Sequence, residues 1–106
     1  MEIQFLYCED CPSHLEAIQR LRKILAEEGI RAAIDIVKVE KQEDAEKFRF
    51  LGSPTIRING LDIDPSVDPH YAVTCRAYVL EDGRISPLPS EAMIRKALRK
   101  AYETEC

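Results

Sequence analysis

Four cysteines occupy positions 8, 11, 75 and 106, and Cys8 and Cys11 are separated by only two residues, Glu9 and Asp10. A thiolate is both a nucleophile and a soft-metal ligand, so this spacing points to disulfide chemistry or metal binding. A short apolar run precedes the pair and a helical pattern follows it. A helix N-terminus presents unpaired N–H groups and about half a positive charge, which stabilises a thiolate. Cys8 is therefore positioned as the attacking sulfur. Cys11, one turn further in, is the thiol that resolves the resulting mixed disulfide. The sequence contains no second Cys-x-x-Cys and no His-x-x-x-His to complete a zinc knuckle.

The elements that must hold this pair follow from the periodicity. Ile3 to Tyr7 is a nearly continuous apolar run, as expected of a strand buried on both faces. From Pro12 to Glu28 the spacing is helical, with Leu15, Ile18, Leu21, Ile24 and Leu25 recurring every three or four residues and Gly29 ending the helix. A second strand lies within Ala32 to Val39, and a second helix runs from Lys41 to Leu51, with Ala45, Phe48 and Leu51 inward. Asn59-Gly60 sits between Thr55–Ile58 and Leu61–Asp64. It is a hairpin signal, because both turn positions need positive φ. Pro65 to Thr74 reads as a loop, Cys75 to Leu80 as a further strand and Asp82-Gly83 as a turn. Ser90 caps a last helix whose apolar face is Ile94, Ala97, Leu98, Ala101 and Tyr102. The order βαβαββα predicts a single α/β domain over residues 1–106, with a four-stranded mixed sheet and helices on both faces.

These features resemble the thioredoxin-fold superfamily. The resemblance rests on the cysteine pair directly after the first strand, the element order over nearly the whole chain, and Ser53-Pro54-Thr55 opening the third strand. It implies a cis peptide bond before Pro54, with Pro54 lying against the cysteine pair. It also implies that the Ser53 backbone pairs with a substrate chain, so that Ser53 and Pro54 shape the substrate groove. The size is closer to glutaredoxins, and the Ile58-Asn59-Gly60 turn looks like theirs. The chain departs from the thioredoxin pattern in having Glu9-Asp10 between the cysteines and Tyr7 before them. Carboxylates beside a thiolate oppose its ionisation, so the expectation is a mildly activated Cys8 and a reducing couple. The alternative reading of Glu9 and Asp10 is a solvated turn, with Asp10 helping to cap the helix.

Two placements of Cys75 are open. If the hairpin returns the chain towards Cys8 and Pro54, Cys75 lies near the pair; if Cys75 instead opens a strand pairing with Thr55 to Ile58, it lies at the far end. A third nearby thiol permits a relay or a three-sulfur site. Three thiols on this framework also resemble thioredoxin-like proteins associated with mercury resistance, and Cys8, Asp10 and Cys75 are similar to the two-cysteine-plus-aspartate set of alkylmercury lyases, at a different spacing. His14 and His70 read as surface histidines, and Asp62, Asp64 and Asp68 as solvated loop acids. Arg76 is either a partner for a Cys75 thiolate or a surface residue, and Cys106 is an incidental terminal thiol.

Composition bounds the remaining classes. Apolar residues make up 45 % of the 106 and charged residues 32 %, enough for a packed core. Fifteen Lys and Arg against nineteen Asp and Glu give a net charge of −4, and aromatic content is 7 % with no Trp. That balance lacks the footprint of nucleic-acid binding, by phosphate contact or by base stacking. No apolar run reaches the ~20 residues that cross a membrane. An acidic start without a basic segment suggests the cytoplasm. The expected activity is thiol–disulfide exchange by Cys8 and Cys11, without a cofactor. Its partners would be a disulfide-bearing protein or small molecule and an upstream reductant. The alternatives are a thiol protein binding mercury, copper(I) or arsenic through Cys8, Cys11 and Cys75, and a binding module without redox chemistry.

Overall fold

The computed structural model describes residues 1–65 and 69–105, so Asp68 and Cys106 lie outside the described residues. Nine elements follow in order: β1 (Ile3–Tyr7), α1 (Ser13–Glu27), β2 (Ile34–Lys38), α2 (Gln42–Lys47), β3 (Thr55–Ile58), β4 (Leu61–Asp62), β5 (Tyr78–Val79), β6 (Ile85–Ser86) and α3 (Glu91–Glu105). The main sheet is mixed, in the order β2-β1-β3-β4, with β1 parallel to β2 and antiparallel to β3.

The central position of β1 explains its apolarity. Ile3 and Phe5 face one layer, with Leu21, Ile24 and Leu25 of α1 and Ile94 and Leu98 of α3. Leu6 points the other way and packs with Cys8, Cys11, Val39, Ala45 of α2 and Phe50. Helices therefore cover both faces of the four-stranded sheet. Burying side chains such as Leu21 or Leu98 stabilises the fold by about 1.5–3 kcal/mol each. At the sheet edge, Ile36 of β2 remains 47 % exposed.

The hairpin forms as its sequence requires, with φ of 53° at Asn59 and 81° at Gly60. Its second strand is shorter than the expected Leu61–Asp64. Asp62 Oδ1 accepts from the Asp64 amide at 2.8 Å, which turns the chain out of the ladder. Helix α2 is also shorter than Lys41–Leu51. Arg49 takes a left-handed φ of 54°, and the Phe50 amide donates back to Ala45 O at 2.7 Å. This reversal buries Phe50 completely, in place of the predicted Phe48 and Leu51, which are only half-buried. Leu15 and Tyr102, expected on apolar helix faces, are exposed. Ser90 caps α3 as expected, its Oγ accepting from the Met93 amide at 3.1 Å.

The segment after Cys75 carries a strand within the expected Cys75–Leu80, but a shorter one, Tyr78–Val79; it pairs with β6 in a separate two-stranded hairpin and not with the main sheet. Cys75 itself makes one isolated parallel bridge, to Ser53. Among the described residues no helix is long and apolar enough to cross a membrane.

Candidate functional site

The site forms where β1 ends, α1 begins and β3 opens. The Cys8 amide donates to Ser53 Oγ at 3.0 Å, and that hydroxyl lies 3.5 Å from Cys8 O. The Cys11 amide closes a turn onto Cys8 O at 3.3 Å. The Ser53–Pro54 peptide bond is cis, as the resemblance implied. Ser53 thus clamps the first cysteine directly across from the proline turn. Ser53, Pro54, Cys8 and Cys11 are all buried.

Cys75 comes to the same place. Its pairing resolves the two placements left open by the sequence, because the Ser53 amide donates to Thr74 O at 2.7 Å and the Arg76 amide donates to Ser53 O at 3.0 Å. Further back, the Ala72 amide donates to Phe50 O at 3.2 Å. Residues 72–76 therefore run as a strap along the chain that opens β3. The backbone groups of Ser53 that the resemblance assigns to an incoming substrate are occupied from within, by residues 74 and 76.

The disulfide joins Cys11 to Cys75, with Cα atoms 5.6 Å apart, and Cys8 is a free, buried thiol. The expected Cys8–Cys11 bond is thus not the one formed. Cys8 is 2 % exposed and Cys11 1 %, so neither has the accessibility expected of an outer nucleophile, whereas Cys75 is exposed. Cys8 Sγ lies 3.9 Å from Thr74 O, one residue from Cys75, so its S–H points at the strap.

The acids around the cysteine pair stand differently from their sequence reading. Glu9 Oε1 lies 3.0 Å from Lys38 Nζ, which also reaches Glu40 at 3.2 Å. The hydrogen bonds Lys38 donates to Glu9, then to Glu40, raise its pKa. Glu9 is thereby ion-paired on the surface. Asp10 does not cap α1, whose N-cap is Pro12 with no side chain closing it. His14 stacks on Tyr7 with ring centroids 4.5 Å apart, and its Nδ1 lies 2.7 Å from Cys11 O. Because a carbonyl only accepts, Nδ1 carries the proton.

Arg76 is the residue whose role the sequence concealed. It turns away from Cys75 and is 6 % exposed. Its guanidinium grips Asp62 through two bonds of 2.7 and 2.8 Å, reaches Asp64 O at 2.5 Å, and lies 4.5 Å over the Tyr78 ring. Burial alone would lower its pKa, but the hydrogen bonds to Asp62 and the surrounding negative charge raise it overall. Asp62 is therefore an ion-pair partner, not a solvated loop acid. Asp68, the third member of the expected acidic cluster, lies outside the described residues. Tyr78 is buried and donates to Pro54 O at 2.6 Å, which ties β5, just beyond the strap, to the proline turn. Gly52 takes φ 127°, and a Cβ there would lie 2.8 Å from Arg76 Cα. Only glycine lets the strap approach this closely. The signal for this framework was present as Cys75-Arg76 following two aspartates, but its pairing depends on long-range contact.

Among the described residues no group of three His, Cys, Asp or Glu is arranged to hold a metal ion. The disulfide engages two of the three sulfurs that the metal reading requires.

The fold and site define an α/β domain whose strand-to-helix junction carries two cysteines and receives a third from a strap. A family described as a domain of unknown function, DUF2703, matches residues 6–98, and the chain belongs to that family. No curated protein and no solved structure matches the chain.

Proposed function

We propose that this protein is a thioredoxin-like thiol–disulfide exchange protein, working through Cys8, Cys11 and Cys75. The observation that carries the reading is the Cys11–Cys75 disulfide with the free Cys8 thiol beside it, Cys8 Sγ lying 3.9 Å from the carbonyl next to Cys75. A bonded pair beside a third sulfur is the starting arrangement for exchange, since a thiolate attacks one sulfur of a disulfide and the other leaves. The order of the first elements, the cis bond before Pro54 and the Ser53 clamp on Cys8 support the thioredoxin-like assignment. The exchange needs no cofactor. It needs a disulfide-bearing protein or small molecule on one side and a reductant on the other.

Reduced protein should transfer two electrons to an added small disulfide with dithiothreitol as the terminal donor. Cys11→Ser should abolish turnover, because Cys11 carries the bond to Cys75 and is also the Cys-x-x-Cys partner of Cys8. Full turnover in Cys11→Ser would sink the proposal. If the variant instead loses only stoichiometric binding of mercury(II), and the parent protein shows no turnover, the soft-metal reading takes its place.

A further inference from the structure

Of the three sulfur-bearing residues at the site, only Cys75 is exposed; Cys8 and Cys11 are 2 % and 1 % exposed. An external disulfide or thiol must meet a sulfur before exchange begins, and a buried sulfur has to wait for local opening. We infer that Cys75 is the catalytic residue at which external substrates enter, and that Cys8 and Cys11 form the inner pair to which the oxidation is handed. This rests on the exchange function proposed above and reverses the order of attack expected from the Cys-x-x-Cys spacing.

In the fully reduced protein the Cys75 thiolate attacks an external disulfide RS–SR′; a Cys75–SR bond forms, the S–S bond of RS–SR′ breaks, and R′S⁻ leaves and takes up a proton. The Cys11 thiolate then attacks Cys75 Sγ. The Cys11–Cys75 bond forms and RS⁻ leaves, so two electrons have passed from the protein to the substrate. This product is the bond present in the structure. Finally the Cys8 thiolate attacks Cys11 Sγ. The Cys8–Cys11 bond forms, Cys75 leaves as a thiolate and takes the proton that Cys8 has lost, and no external electron is used. Cys75 is then free for a second encounter while the oxidation is stored inside.

The structure holds each participant for its step. The strap is fixed on both sides of Cys75, by the Ser53 amide on Thr74 O and by Arg76, whose amide reaches Ser53 O and whose guanidinium is anchored on Asp62. Cys75 is therefore presented at a set place opposite Cys11, as an intramolecular reactant at high effective concentration. The S–H of Cys8 aims at Thr74 O beneath the same strap. Cys11 directly precedes the α1 N-cap, Pro12, where the helix field favours a departing or attacking thiolate.

Trypsin separates the players, because cleavage after Arg20, Arg57 and Arg76 leaves Cys8 and Cys11 on residues 1–20, Cys75 on 58–76 and Cys106 on the C-terminal peptide. Reduced protein is mixed with substoichiometric 5,5′-dithiobis(2-nitrobenzoate), quenched with acid within milliseconds and mapped by mass spectrometry. The first site adduct should lie on 58–76, followed by the crosslink of 1–20 to 58–76, and then by a disulfide within 1–20 that Cys8→Ser abolishes. Cys75→Ser should slow the reaction of the remaining site thiols by about tenfold or more. Reduced parent protein, which also lacks the bond, is the folding control, checked by circular dichroism. A first site adduct on residues 1–20, or an unchanged rate in a folded Cys75→Ser protein, overturns the entry role and leaves the exchange function standing. No adduct at Cys8, Cys11 or Cys75 overturns both.

Discussion

Breaking the Cys11–Cys75 bond should cost a large share of the stability of the domain. The two residues are 64 apart in sequence. Closing a loop of that length removes about 14 cal/mol/K from the unfolded chain, which is about 4 kcal/mol at 25 °C. A domain of this size has about 5–15 kcal/mol in total. Reduction should therefore lower the urea midpoint by about 2–3 M and the melting temperature by about 15–20 °C. The same linkage acts in reverse, so folding should make the bond about a thousandfold harder to reduce than in the unfolded chain. The assay is urea unfolding of the oxidised protein with and without dithiothreitol, with the bond verified by mass before unfolding. Cys75→Ser, which cannot form this bond, should unfold in dithiothreitol at the midpoint of the reduced parent protein. A verified bond whose reduction leaves the midpoint unchanged would refute the loop-closure argument. It would imply that residues 72–76 stay docked equally well without it.

Three other perturbations follow from the strap. Gly52→Ala combines a disfavoured φ of 127° with a contact of 2.8 Å to the Arg76 backbone; a loss of about 3 kcal/mol and faster reduction of the disulfide by dithiothreitol are expected in unfolding and stopped-flow measurements. Asp62→Asn leaves the buried Arg76 charge uncompensated and should cost about 3–5 kcal/mol in urea unfolding, while a loss below 1 kcal/mol would mean that Asp64 O and Tyr78 suffice. Burial pushes the Tyr78 pKa upward from its ordinary 10.0. The folded state thus keeps this proton after the unfolded chain has lost it, and the contribution to stability, complete below pH 10, declines as pH rises above it. Tyr78→Phe should flatten that alkaline decline in melting temperature; an identical alkaline slope in both proteins would contradict the assignment.

Much of the fold was legible because local rules and tertiary demands coincide. The continuous apolarity of Ile3 to Tyr7 reflects burial on both faces, the positive φ at Asn59 and Gly60 is what that dipeptide supplies, and Ser90 caps its helix. Where local and tertiary demands part, the tertiary demand sets the element. The period of α2 continues to Leu51, but the reversal at Arg49 ends the helix early and buries Phe50. The site was half legible. Spacing picked out Cys8 and Cys11, and the resemblance pointed to Ser53 and Pro54. Spacing could not choose the sulfur partners, because the Cys11–Cys75 bond depends on a strap whose course is set by Gly52, Arg76 and Asp62, and those contacts span the chain.

The most direct measurement is a redox titration of the purified protein in glutathione buffers of graded composition, with the disulfides mapped at each point, in the absence and presence of one equivalent of mercury(II). The account predicts a reversible two-electron transition in which the oxidised population is made of the Cys11–Cys75 and Cys8–Cys11 bonds, and a shift towards the reduced form when mercury competes for the thiols. Three site cysteines that remain reduced across the whole range, or a Cys11–Cys75 bond that no buffer opens while the protein stays folded, would contradict it.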